Sequence, residues 1–337
     1  MPFKAIIGHR RVIELLARSI RRDSLPPSLI FAGPAGVGKR LTAVATAQAA
    51  NCIRPTTSDA DFFDACGTCA ACLRIARGVH ADVLVVEPGD NGSTKTEQVR
   101  EIIDRAAYRP FEGRRRVVIV DEADALVVPA QNALLKTLEE PPSASMFILV
   151  TSRPDSLLPT VRSRCPRLGF RALTPEEIAT ALMQRGRSGS DARATAASAD
   201  GSLGRALQMS ASDLVEARAV AQEVLARAAA TPDPRRRIEG AKELLSNMGG
   251  GGASDREKLA SHLRAMASLV RDVELLSTRA DIRALANADV QPALERLRPA
   301  YGGERGARAF SAIDRALVAL DRNAGVKIVA DWLVLQL

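Results

Sequence analysis

The sequence predicts an α/β domain followed by an all-helical remainder, and three observations predict it. Short, continuously apolar runs recur through the first half of the chain, with helical spacings between them. A glycine-rich loop stands between the first such run and the next helical segment. After about residue 172 the strand-like runs stop. Apolar runs that do not alternate, divided by helices, mark a parallel sheet covered on both faces.

The elements follow in order. Residues 9–22 place Val12, Ile13, Leu16 and Ile20 at helical spacing, and Pro26-Pro27 breaks the pattern. Ser28–Ala32 is a short apolar run bounded by Gly33-Pro34, as a buried strand would be. Residues 38–51 are alanine-rich and helical in pattern, and Cys69–Ala76 suggests a short helix. Asp82–Glu87 reads as a second strand and 88–92 as a loop. Residues 96–108 carry Val99, Ile102, Ile103 and Ala106 on one helical face. Arg116–Asp121 and Met146–Thr151 read as the third and fourth strands, with 167–170 as a fifth. Between the third and fourth, a helix from about Pro129 to Glu140 ends at Pro141-Pro142. Thr174-Pro175-Glu176-Glu177 opens the helical remainder with a capping threonine, a first-turn proline and two acids that suit the helix dipole. Gly201-Ser202 and 248–253 are breaks within it.

The chain has 337 residues, with 46% apolar, 26% charged and a net charge of +8, so it can bury real cores in two or three domains. No apolar run approaches the roughly 20 residues of a membrane span, and the N-terminal residues lack the apolar stretch of a secretory leader. The expected location is the cytoplasm, with no membrane partner. Aromatic residues make up only 3%, which argues against stacking platforms for single-stranded nucleic acid. Any nucleic-acid contact is then expected at phosphates.

Four of the five cysteines cluster as Cys52, Cys66, Cys69 and Cys72, spaced C-x13-C-x2-C-x2-C. In a reducing compartment this pattern favours structural Zn²⁺, which takes four ligands in a tetrahedron. Four thiolates leave no open position for catalytic water. The competing reading, a redox C-x-x-C, leaves two cysteines without a task. Cys165 stands apart.

Gly33-Pro34-Ala35-Gly36-Val37-Gly38-Lys39-Arg40 follows a strand and opens a helix, the context in which G-x4-G-K carries meaning. Glycines let backbone N–H groups curl around phosphate oxygens, and Lys39 would reach the terminal phosphates. The next position normally holds Ser or Thr for Mg²⁺. Here it is Arg40, which has no lone pair to offer a metal. The alternative is a glycine turn with no ligand. Downstream, the third strand ends in Asp121-Glu122, where Asp121 would lie near Mg²⁺ and Glu122 could orient water. Its alternative is a solvated strand end. Arg114-Arg115-Arg116 reads as a solvated loop, with phosphate contact to DNA as the alternative.

Together with the Asn132–Pro142 run (Asn-Ala-Leu-Leu-Lys-Thr-Leu-Glu-Glu-Pro-Pro) and Ser163-Arg164-Cys165, these motifs resemble the bacterial clamp-loader AAA+ ATPases. Those are the delta-prime and gamma/tau subunits of the DNA polymerase III holoenzyme. The resemblance covers roughly residues 1–210 by motif and the remainder by length and helical character. Arg40, the 80–88 stretch, Ala123-Asp124-Ala125 and the chain length point to the delta-prime type, with gamma/tau as runner-up.

The resemblance implies a five-stranded AAA+ domain over 1–171 with a zinc module at 52–72. A helical lid over 172–210 and a helical collar over 211–337 would follow. It implies ATP-site positions at Gly33, Gly36, Gly38, Lys39, Asp121 and Glu122, with ATP and Mg²⁺ as cofactors of a degenerate site. Arg164 would be an arginine finger acting in trans, Arg205 the second sensor and Ser152 the first. The implied partners are gamma/tau and delta subunits in a ring of five, and through the ring a sliding clamp and primed DNA. An unrelated P-loop kinase or transferase with a zinc staple is the remaining alternative, disfavoured by the Leu134–Pro142 run and Arg164. Ile313, Leu317, Leu320, Val329 and Leu333 read as core positions before collar contacts.

Overall fold

Five strands form one sheet in which every pairing is parallel, in the computed structural model of the chain. It describes all residues except 58–61, 90–91, 232, 247, 250–251 and 279–284. Parts of the expected 88–92 loop and of the 248–253 break thus lie outside the described residues. Two units are distinct, Met1–Leu173 and Thr174–Leu337.

The strands are β1 (Ser28–Ala32), β2 (Thr56–Thr57), β3 (Phe63–Asp64), β4 (Val83–Val86), β5 (Arg116–Val120), β6 (Ser145–Thr151) and β7 (Arg167–Gly169). The sheet order is β4-β5-β6-β1-β7, and β2 and β3 form a separate antiparallel hairpin. The first unit's helices are α1 (Arg10–Arg21), α2 (Lys39–Asn51), α3 (Ala70–Ala76), α4 (Thr96–Ala107), α5 (Val128–Glu139) and α6 (Pro159–Arg162). The five expected strands are all present. The hairpin is new: at two residues per strand it carries no readable periodicity.

Why the runs do not alternate is visible in the two cores. Leu29, Phe31, Val117, Ile119, Met146 and Ile148 point to one face, against Ile13 and Leu16 of α1 and Ala43 and Ala47 of α2. Ile30, Val118, Val120, Phe147 and Leu149 point to the other, against Val99 of α4 and Leu134 and Leu138 of α5. Both faces are dry, so both parities must be apolar. Cys165 lies in the second core at 2% exposure, and burial pushes its thiol up to about 11, as expected for a small apolar filler.

The second unit contains α7 (Pro175–Met183), α8 (Gly189–Ser198), α9 (Leu203–Gln208), α10 (Ala211–Ala230), α11 (Pro234–Leu244), α12 (Ala253–Ser277), α13 (Gln291–Tyr301), α14 (Glu304–Asp321) and α15 (Val326–Gln336). Thr174 caps α7 in a full capping box: the Glu177 N–H donates to Thr174 Oγ1 at 3.2 Å and the Thr174 N–H to Glu177 Oε2 at 2.9 Å. Ile313, Leu320, Val329 and Leu333 are buried in the core of α10–α15, and Leu317 is partly buried against it. Tyr301 is fully buried there and donates its hydroxyl to Leu225 O at 3.0 Å. No helix is long and apolar enough to cross a membrane among the described residues.

The Arg114–Arg116 run is solvated only in part: Arg114 is exposed and Arg115 half-buried, whereas Arg116 opens β5. Arg116 is buried and donates from Nη2 to Asp82 Oδ1 at 2.8 Å. Arg114 donates to Cys52 O at 2.8 Å, and Arg115 pairs with Asp23. Asp82 is wholly buried and also accepts the N–H groups of Phe111, Glu112 and Gly113 at 2.7–2.8 Å. Charge runs signal solvent only when no buried acid waits for them, and sequence spacing does not reveal Asp82.

Burial of Asp82 disfavours its charge, but those three N–H donors and Arg116 outweigh burial and hold the carboxyl at about 2, below its ordinary 3.8. Its contribution is therefore complete above about pH 4 and drains away as pH falls through 2, because the unfolded chain takes the proton first. Asp82→Ala is expected to cost about 3–5 kcal/mol in urea unfolding at pH 7, since it strands a buried guanidinium. The deficit should shrink as the pH is lowered towards 2. A loss under about 1 kcal/mol would show that Asp82 does not hold this loop.

Candidate functional site

The site begins where β1 ends. Gly33 donates its N–H to Thr151 O at 3.2 Å, and a Cβ on Gly33 would meet Phe170 O at 2.1 Å, so only glycine fits. The chain then turns through Gly36 and Gly38 at φ 71° and 107°, left-handed values that favour glycine. Gly38 caps α2, whose first residue is Lys39. The Val37 carbonyl is held from below by His9 Nε2 at 2.8 Å, and the His9 ring stacks edge-on against Phe170 at 4.9 Å.

Lys39 is buried, with Nζ donating to Gly33 O at 2.6 Å and Pro34 O at 2.5 Å. Burial pulls its pKa below the ordinary lysine value, against the opposing fields of Asp124 and Asp121. Arg40 reaches across the loop mouth. Its Nη1 donates to Asp121 Oδ2 at 3.1 Å, and its Nη2 pairs with Glu87 Oε1. Asp121 Oδ1 accepts the Glu122 N–H at 3.0 Å. Glu122 is exposed and takes a left-handed φ of 45°. Partial burial and then the neighbouring charges of Asp121, Asp124 and Glu87 raise its pKa.

These residues do not fit Mg²⁺. That ion demands an octahedral set of oxygens. The hydroxyl position carries a guanidinium, and the same guanidinium already holds Asp121. What the arrangement offers instead is a glycine turn, a lysine and an arginine, all suited to phosphate oxygens.

Asp124 anchors the far side of the site. It accepts from Thr151 Oγ1 at 2.7 Å, the Ser152 N–H at 3.1 Å and Arg153 Nε at 3.0 Å. Burial works against its charge, yet those donors hold its pKa below the usual range. The Ser152 hydroxyl also turns to Asp124, at 3.4 Å. Arg164 follows α6, with Nη1 donating to Thr160 O at 2.8 Å and Nε to Glu139 Oε1 at 2.7 Å. Arg205 belongs to the second unit, where it donates to Ala199 O at 3.0 Å and lies 3.7 Å from Glu257 Oε1. Burial and the nearby Arg264 lower its pKa.

Cys52, Cys66, Cys69 and Cys72 are free thiols whose sulfurs all lie within 4.8 Å of one another. A tetrahedron of 2.3 Å Zn–S bonds has S···S edges of about 3.8 Å, and Cys52 Sγ lies 3.6 Å from Cys66 Sγ and 4.0 Å from Cys69 Sγ. Backbone N–H groups of Cys66 and Cys69 donate to sulfur, each at 3.3 Å. The Thr68 N–H and its neighbours hold the Cys66 thiol down to about 6, while burial pushes Cys52 and Cys72 up. The cluster can hold a metal ion. It is tied to α2 by Gln48 Nε2, which donates to Cys72 O at 2.7 Å.

Known proteins resemble this chain over its first half. The family described as "DNA polymerase III, delta subunit" matches residues 8–174. Residues 8–174 thus form a domain of that family, homologous to the gamma/tau subunits of DNA polymerase III. It is 34% identical to the gamma/tau subunit of Mycobacterium tuberculosis over 180 residues, which are 53% of this chain and 30% of that one. It is likewise 34% identical to the tau subunit of Bacillus subtilis over 176 residues, 52% of this chain and 30% of that one. The match thus spans under a third of those relatives. Among solved structures, a gamma subunit-related protein of Thermotoga maritima aligns with 96% of this chain and 97% of its own, at 16% identity and a TM-score of 0.41.

Participants that were not among the sequence candidates include His9, Glu87, Asp124 as an acceptor, Thr151, Arg153 and Glu139. Glu87 could have been found from its place at the end of an apolar run, had the adjacency of β4 and β5 been known. His9 and Glu139 carry no sequence signal of their own.

The chain is expected to bind a single divalent ion through its four thiolates. Loading with Co²⁺ should give thiolate-to-metal charge-transfer absorption, and Cys72→Ser should weaken both metal content and this band. Binding should fade as pH falls, because the ligands must lose their protons. A folded, reduced chain that retains no metal against dialysis would refute the assignment.

Proposed function

We propose that the chain is a delta-prime-like subunit of a DNA polymerase III clamp loader that does not hydrolyse ATP itself. On this reading it completes a neighbouring subunit's ATP site with Arg164. The observation that carries the non-hydrolysing part is the Arg40–Asp121 contact at 3.1 Å, which commits the acid a metal would need. The partners are gamma/tau and delta subunits in a cytoplasmic ring of five, which together load a sliding clamp onto primed DNA. Zn²⁺ is the ion of the four-cysteine module, with a structural task. The 172–210 lid carries Arg205 as a nucleotide sensor of reduced use, and 211–337 joins the oligomeric collar.

Arg164 is suited to act in trans. Its side chain keeps 31% exposure, and its Glu139 partner 46%, so their ion pair is worth about 0–1 kcal/mol at most. Exchange of Glu139 for a phosphate oxygen is therefore cheap. In a seam that excludes water, a guanidinium beside the developing charge of a γ-phosphate is worth far more than on the surface. The second reading, an active gamma/tau-like ATPase, draws on the 34% identity to those subunits.

Steady-state ATP hydrolysis separates the two. The isolated chain is expected to be silent. In a loader reconstituted with gamma/tau and delta subunits, Arg164→Ala should slow turnover at the site it serves by about 10³-fold, the usual worth of an arginine finger. If the isolated chain turns ATP over in a Lys39-dependent way, the gamma/tau-like reading replaces this one. If Arg164→Ala leaves the assembled loader at full speed, the trans role is lost.

A further inference from the structure

The residues at the phosphate loop and the metal that such loops normally use do not agree, and the disagreement has a definite geometry. Arg40 is not merely a missing hydroxyl. Its guanidinium bridges Asp121 and Glu87, the acids at the ends of the neighbouring strands β5 and β4. Guanidinium has five N–H donors, and this one directs one nitrogen to each carboxylate, leaving further donors. Its side chain is 51% exposed, so the guanidinium is not enclosed by its two partners. The turn itself is intact: Gly36 and Gly38 keep left-handed conformations, and Lys39 remains at the start of α2.

We infer that Arg40 is a tethered counter-cation in place of the divalent ion, and that the loop takes nucleoside polyphosphate without metal. The inference deepens the non-hydrolysing reading and rests on it. Arg40 does two things that Mg²⁺ would do. It neutralises carboxylates that would repel a polyphosphate, and it presents positive hydrogen-bond donors to phosphate oxygens. It cannot do the third: it has no coordination sphere in which to order a water and phosphate oxygens as a metal ion does. Nucleotide would be held and not cleaved. A divalent ion is excluded by like charge and by the prior engagement of Asp121.

The test is a fluorescence titration of the full chain with N-methylanthraniloyl-ATP, in EDTA and again in excess Mg²⁺. Wild type is expected to bind with a Kd that differs by less than about twofold between the two conditions. Arg40→Ser should bind roughly tenfold or more weakly in EDTA, as loss of a charge-assisted contact predicts, and recover with Mg²⁺. Arg40→Lys keeps the charge and should stay indifferent to metal, while Lys39→Ala should weaken binding in both conditions. Thermal melts of each variant check that it is folded. Electron paramagnetic resonance of Mn²⁺ adds a direct reading: free Mn²⁺ signal should be quenched further by nucleotide-loaded Arg40→Ser than by loaded wild type. Wild-type binding only with Mg²⁺, no binding in either condition, or an Arg40→Ser variant indifferent to metal would each overturn the inference. Co-elution with gamma/tau and delta subunits is measured on the same samples. A chain that assembles but binds no nucleotide defeats this inference alone, whereas a chain that fails to assemble defeats the clamp-loader reading.

Discussion

The parallel register of the central sheet is the constraint on which the site depends. Val86 lies opposite Val120, Val120 opposite Leu149, and Ala32 opposite both Thr151 and Gly169. All five carboxyl ends therefore emerge along one edge. Glu87, Asp121, Ser152 and Gly33 are each the residue that follows a strand, so polar chemistry starts where the two cores end. A slip of one residue in any strand would turn its apolar set to the wrong face and withdraw its terminal residue from the row. The buried Asp82–Arg116 pair guards against that slip for β5, since Arg116 is the strand's first residue.

Against this fixed frame, one side chain decides the character of the site. With a hydroxyl at position 40, the cluster Glu87, Asp121 and Glu122 would form an acidic rim in need of a cation. Arg40 supplies that cation covalently. The consequence is electrostatic as well as steric: the acids are partly neutralised within the chain, and Arg40 opposes the rise in the Glu122 pKa that burial and the neighbouring acids cause. Asp124 is satisfied separately by Thr151, Ser152 and Arg153, so it does not draw on Arg40.

Much of this was readable in the sequence, for physical reasons that differ by element. The strands were readable because both faces are buried and the runs are apolar without interruption. The cysteine module was readable because ligand spacing is a property of short loops. Arg40 stood out because it breaks a motif whose every position has a task. Pairings across the sheet were not readable: Arg40 to Glu87 spans three elements, and Arg164 to Glu139 joins a turn to the end of α5. Arg116 misled for the same reason. Its buried acid lies 34 positions away, and nothing local distinguishes it from Arg114 or Arg115.

The two arginines that define the proposed role differ in their acidic partners: Arg40 has two carboxylates and Arg164 has one. Arg40 has two carboxylates at one edge of one sheet, and leaving them would uncover a cluster of like charges. Arg164 has a single half-exposed glutamate and the Thr160 carbonyl, partners that water can replace at little cost. A guanidinium meant to stay should be bound by charges that need it. A guanidinium meant to be offered to a neighbour should be kept straight by contacts that release it. On the proposed reading the chain has one of each. Its own phosphate loop carries a tethered cation, and its contribution to the ring passes through Arg164.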